Sequence, residues 1–345
     1  MIGADAITPQ PPVPGTRPLA SHAPRTIALA SGPVPLPDAP PRRPLGETGL
    51  QVFPLAIGAG EFGWHVAPLA ASAILDVYRA HGGNFVHMSD GDASGRSEHI
   101  VGQWMRSRGV RDETVVAVRI GADNEHPGLG PVNLVRSVEA SLSRLQTDRI
   151  DLLYLNATTD GATPLEDTLA TAEWLVESGK VRAVGSFCHT AAQLVEARIL
   201  SSAGYPRLAV LDVPFNVLHR TELDGDRRLV ATAQSIAITP SRALAHGFLA
   251  GVHRGRAPIG RSVRGTQLAA SMNRRGHRAL RVLDRVAREL SIPTAAAAIA
   301  WLLAEQLVAA PIVNAREAAH VEELVQGAGA HLTLQHRADI TRAGQ

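Results

Sequence analysis

The chain of 345 residues has one cysteine (Cys188), one lysine (Lys180) and three tyrosines (Tyr78, Tyr154 and Tyr205). A single cysteine excludes an internal disulfide framework and any zinc site built on several thiolates. Chemistry that needs an ammonium or a phenol must draw on one of the other four residues. No apolar run approaches the roughly 18 residues of a spanning helix, so no membrane segment is expected. The N-terminal MIGADAITPQ has neither a basic start nor an apolar stretch. A signal peptide is therefore not expected, and a cytoplasmic location is the default. The net charge is only +2, which argues against nucleic acid or an anionic bilayer as a partner. No HxH or HExxH spacing occurs, so no metal site is expected.

What the sequence does have falls into two parts. Eleven of the 23 prolines lie in residues 1–43, with few large apolar groups between them. Such a segment cannot build a core, so a disordered, Pro-rich tail is expected there, open to a protein partner. From residue 44 to 345 the chain alternates. Short apolar runs read as buried parallel strands at 52–58, 84–88, 114–120, 150–156, 181–187, 208–213, 236–239 and 309–313. Amphipathic stretches intervene at 69–81, 97–108, 131–145, 165–178, 190–201, 225–234 and 316–327. Thr163-Pro164-Leu165-Glu166 and Thr190 with Gln193 read as capping boxes, and Pro293-Thr294 opens a further helix. Eight strands alternating with helices predict an α/β fold, a single (β/α)8 TIM barrel. GAGEFG (58–63) lacks the GxGxxG spacing of a doubly wound dinucleotide fold. Residues 240–276 read as a long Gly/Arg-rich loop, and the arginines at 254, 256, 261, 264, 274, 275 and 278 as a solvated basic face.

Several motifs resemble the aldo-keto reductase superfamily: RPLGETGLQVFPLAIG (43–58), GRSEHIVGQWM (95–105), VEASLSRLQTDRIDLLYL (138–155), TPLEDTLATAEWLVESGKVRAVG (163–185), NVLHR (216–220), ALAHGFLAG (243–251) and PIVNAREAAHVEEL (311–324). The resemblance implies a (β/α)8 barrel, an NADP(H) cofactor and carbonyl reduction by a tyrosine assisted by lysine, aspartate and histidine. At the matching positions this sequence has Asp92 for the tyrosine, Arg119 for the lysine, His87 for the aspartate and Asn156 for the histidine. On the cofactor side, Phe187-Cys188 stand for the Ser-Asn pair that holds the carboxamide. Asp212 stands for a glutamine, and Phe215 for the ring that stacks on nicotinamide. Arg242 replaces a serine and Leu324 an asparagine, while Arg316 and Glu323 remain as contacts if NADP(H) is bound. Cofactor use is thus expected to be absent or vestigial.

Hydride transfer to a ketone builds an alkoxide that needs a nearby acid, and an ionised Asp92 would repel it. Arg119 keeps a positive charge but does not release a proton. His87, Asp92, Arg119 and Asn156 instead suit proton shuffling, with a His87–Asp92 couple as acid/base and Arg119 and Asn156 stabilising an anion. Cys188, His189, Asp212 and Arg242 are expected at the same strand ends, with His65 and His126 on neighbouring loops. Non-reductive dehydration, isomerisation or cyclisation of a small molecule is the leading reading. A reductase with altered acid groups and a non-catalytic binding barrel stand as alternatives.

Overall fold

The computed structural model describes residues 40–159, 163–252, 254 and 263–345. The expected Pro-rich tail lies, but for residues 40–43, outside the described residues, as do Arg256, Arg261 and the side chain of Arg264. The described chain starts with a hairpin, β1 (Arg43–Pro44) antiparallel to β2 (Gln51–Val52). A parallel sheet follows: β3 (Ala56–Gly58), β4 (Phe85–Ser89), β5 (Val115–Ile120), β6 (Ile150–Asn156), β7 (Val181–Phe187), β8 (Leu208–Pro214), β9 (Ala237–Ser241) and β10 (Ile312–Val313). Their order is β10-β3-β4-β5-β6-β7-β8-β9. Backbone bonds from Ile238 to Leu307 and from Ala309 to Ile238 join β9 to the segment that leads into β10, closing the (β/α)8 barrel.

Helices α1 (Pro68–Ala80), α2 (Arg96–Arg108), α3 (Pro131–Leu145), α4 (Leu165–Glu177), α5 (Ala191–Ser202) and α6 (Asp226–Ala233) alternate with the strands. They are followed by α7 (Val263–Ser271), α8 (Arg274–Leu290), α9 (Thr294–Leu303), α10 (Ala318–Gly329) and α11 (Leu334–Ala343). Among the described residues no single helix is long and apolar enough to cross a membrane. Thr190 and Gln193 form the expected capping box on α5. At α4 the boundary moves by one residue: Pro164 is the cap residue and makes no side-chain cap. The stretch expected as one loop over 240–276 contains α7 and the first turn of α8. Arginines on the expected basic face hold neighbouring chain: Arg254 pairs with Asp284, Arg275 donates to Leu218 O and Arg278 to Ala343 O.

The strand pleat separates two cores. Val86, Met88, Val116, Val118, Leu153, Leu155, Leu211 and Val213 pack outward with the helices. Phe85, Ala117, Leu152, Tyr154, Val210 and Ala237 point inward, joined by Leu45, Leu50 and Val52 from the hairpin, which plugs the N-terminal end. Since successive side chains alternate, the inward face continues at the C-terminal ends through His87, Arg119, Asn156, Phe187, Asp212, Thr239 and Ser241. The barrel interior therefore turns from apolar to polar towards the end where barrel sites lie. Gly185 makes room for the central ring, since a Cβ there would sit 2.9 Å from Tyr154 Cδ1 and 3.1 Å from Val210 O. Gly185→Ala is expected to cost about 1–3 kcal/mol by overpacking, read as a lower urea midpoint at unchanged slope.

Candidate active site

The interior polar layer is built from four strands. His87 (β4) and Asp212 (β8) reach across the barrel, with Nε2 3.6 Å from Oδ2. Asp212 is fully buried, yet neither carboxylate oxygen has a hydrogen-bond partner within 3.5 Å. His87 Nε2, Arg119 Nε (β5) and Ser241 Oγ (β9) are also buried without one. Unmet polar atoms cost free energy, so a cluster of them at a barrel mouth marks a place prepared for other polar groups. Tyr154 (β6) closes the layer beneath: its hydroxyl lies 2.7 Å from Thr239 Oγ1 and its ring meets the His87 ring edge-on, centroids 5.6 Å apart.

Burial sets the charges. It pushes the Asp212 carboxyl up to about 6, opposed by the Arg119 guanidinium and by the hydroxyl and backbone N–H of Ser241. It drives the His87 imidazole down to about 3, and here Arg119 adds to the effect. Near neutral pH the imidazole is therefore uncharged while the carboxylate is ionised, so the two are not an ion pair. Arg119 takes no carboxylate either; its guanidinium lies over the Phe187 ring, 4.2 Å from the centroid.

The other expected residues sort clearly. Asp92 does not couple to His87: its Oδ2 accepts the Ser89 N–H at 2.7 Å, in the turn between β4 and α2. Adjacent Asp90 accepts the Gly121 and Ala122 N–H groups and so ties that turn to the end of β5. Asn156 Oδ1 is occupied by Thr158 N and Oγ1. Cys188 sits at φ +60°, and burial pushes its thiol up to about 12, so a nucleophilic thiolate is not supported. His189 Nδ1 lies 2.9 Å from Ser186 Oγ, and burial lowers its imidazole to about 4. It lines a cavity of about 190 Å³ between α4 and α5, away from His87. His65 stacks on exposed Trp64, and His126 Nδ1 stands 3.8 Å from Asp123.

Of the residues expected to contact a cofactor, Phe215 is fully buried and stacked on Trp301, centroids 5.7 Å apart. Arg316 Nε is bound to buried Glu61 at 2.9 Å. Arg242 and Glu323 are exposed. Sequence reasoning placed Asp212 among the strand ends but missed it as the partner of His87, and missed Ser241 and Asp90. The signal for Asp212 was present, because it alternates with Val210 on the inward face of an apolar strand.

A closed (β/α)8 barrel with a polar layer at the C-terminal strand ends is an enzyme-type architecture. The chain belongs to the aldo/keto reductase family, whose sequence profile matches residues 54–344. It is 32% identical over 312 residues to the aldo-keto reductase ausK of Aspergillus calidoustus, spanning 83% of this chain and 77% of that protein. It is 28% identical to norsolorinic acid reductase B of Aspergillus parasiticus, over 79% of this chain and 75% of that protein. A probable voltage-gated potassium channel subunit beta of Arabidopsis thaliana is also 28% identical, over 81% and 88%.

The raised carboxyl of Asp212 has a consequence for stability. Its folded value of about 6 exceeds the ordinary 3.8, so the folded state holds this proton more tightly than the unfolded one. The resulting penalty is absent below about pH 4, grows between pH 4 and 6 and is complete above. Asp212→Asn is expected to stabilise the protein at pH 7.5 by something of order 2 kcal/mol, with the gain vanishing at pH 4, as read by urea unfolding.

Proposed function

We propose that this barrel catalyses proton transfer on a small organic substrate without a hydride step, as a cytoplasmic enzyme. The observation that carries this reading is where the phenols and the ammonium lie. Tyr78 donates to Leu55 O under α1 and Tyr205 to Glu166 on the surface. Lys180, at the opposite end of β7, pairs with Glu139. Tyr154 is bound to Thr239, and burial raises its phenol well above its ordinary value. None is a tuned proton donor at the mouth, so the reductive mechanism implied by the family has no acid there.

The residues present do not fit a nicotinamide. Phe215 is sealed against Trp301, and the carboxamide position holds Phe187, under Arg119, and a neutral Cys188 thiol. What they fit is acid/base work. The Asp212 carboxylate is the base, poised by burial near the operating pH. Neutral His87 passes a proton at Nε2, and Arg119 with Asn156 Nδ2 faces an oxyanion.

The reductase names of the relatives favour a second reading, with NADP(H) retained at altered contacts. Calorimetric titration with NADPH and NADP+ separates the two. No binding up to millimolar is expected; micromolar binding overturns the cofactor-free reading.

A further inference from the structure

We infer that the substrate is a small α-hydroxy carbonyl compound, isomerised by moving hydrogen between adjacent carbons through an enediolate. The inference rests on the proton-transfer reading and adds a substrate class and reaction to it.

The pattern of unmet atoms defines the ligand. Neither Asp212 oxygen has a donor within 3.5 Å, Ser241 being the nearest hydrogen-bonding group besides His87, and Arg119 Nε lacks an acceptor. His87 Nε2 is also unmet, and stands 3.6 Å from Asp212 Oδ2. A simple ketone offers an acceptor to Arg119 but no donor. An alcohol without a carbonyl gives an abstracted proton nowhere to leave its electrons. Two adjacent oxygens on one short carbon frame, one carbonyl and one hydroxyl, supply both kinds of partner. Size follows from burial, since His87 is only 7% exposed and Asp212 is not exposed at all. Groups so buried are matched to a compact head group rather than to a bulky one.

The step balances within the substrate. Asp212 takes the proton from the hydroxyl-bearing carbon, and the C–H electron pair forms the C=C bond. The carbonyl π pair moves onto its oxygen, where Arg119 faces the new charge. His87 gives its Nε2 proton to that oxygen and accepts one, at the same nitrogen, from the neighbouring hydroxyl. Asp212 returns its proton to the former carbonyl carbon, so no oxidant, reductant or leaving group is needed. A carboxyl held up and an imidazole held neutral by burial suit these two roles.

The test uses the full chain in D2O, with hydroxyacetone and dihydroxyacetone as probes and acetone and 4-hydroxy-2-butanone as controls, followed by proton NMR. Enzyme-dependent loss of the CH2OH signal is expected, with lactaldehyde or glyceraldehyde appearing and acetone unchanged. Asp212→Asn, shown folded by circular dichroism, is expected to lose exchange roughly 100-fold. His87→Gln is expected to keep exchange but lose isomer formation, which a merely structural role does not produce. Equal exchange with acetone overturns the hydroxy-carbonyl class while leaving proton transfer standing. So does loss of water from 4-hydroxy-2-butanone without isomerisation. No exchange with either α-hydroxy ketone, or exchange indifferent to Asp212→Asn, overturns the inference. If NADPH also binds at micromolar concentration, the proton-transfer reading falls with it.

Discussion

The candidate site turns on one buried carboxylate. Asp212 lies inside the barrel with no hydrogen bond within 3.5 Å to either oxygen, facing His87 at 3.6 Å. A buried charge is unfavourable, and it is offset here by the Arg119 guanidinium and by the hydroxyl and N–H of Ser241. Burial keeps the His87 imidazole neutral beside that carboxylate, and the same guanidinium adds to the effect. Burial is the larger influence on both groups, and the one cation favours the deprotonated form of each, a charged carboxylate and a neutral imidazole. Arginine suits that role better than lysine, because a planar guanidinium can lie on Phe187 and stay charged without a carboxylate partner.

Stability for such a layer comes from the rest of the barrel. An apolar inner core, plugged by the 43–52 hairpin, lies on the N-terminal side, and the helix-facing core surrounds it. Arg43 fastens the hairpin through Leu303 O and Val308 O, next to the seam where the barrel closes. This division lets the strand ends change chemistry without a change of fold, and it is why family membership alone does not decide the reaction.

The barrel was legible because its strands are apolar runs with clear ends; β6 and β7 match their expected limits at 150–156 and 181–187. The Thr190 box was legible for a similar reason, since its partners are three residues apart. The two-residue strands of the hairpin carry too little periodicity to be read. Helix α7 was hidden by the glycines and arginines around it, and α11 was not foreseen either. At the site, His87, Arg119 and Asn156 were legible as strand ends. The partner of His87 was not, because Asp92 is close in sequence but committed to Ser89 N, whereas Asp212 comes from the far side of the barrel. Phe215 was read as an open ring, but Trp301 comes from a distant helix and closes it, which no local pattern announces.

The family resemblance places a carboxylate at the His87 position and an amide at the Asp212 position. In this chain the carboxylate stands on β8 and a neutral imidazole on β4, with a cation kept between them on β5. Compared with what the resemblance implies, the buried acid stands on the opposite wall, and Asp92 adds a second carboxylate in the turn after β4. Replacing Asp212 by an apolar residue would relieve its burial penalty. A buried carboxylate, a neutral imidazole and a guanidinium, each with a polar atom left unmet, carry a cost that the proposed substrate, with its donor and acceptor, would repay.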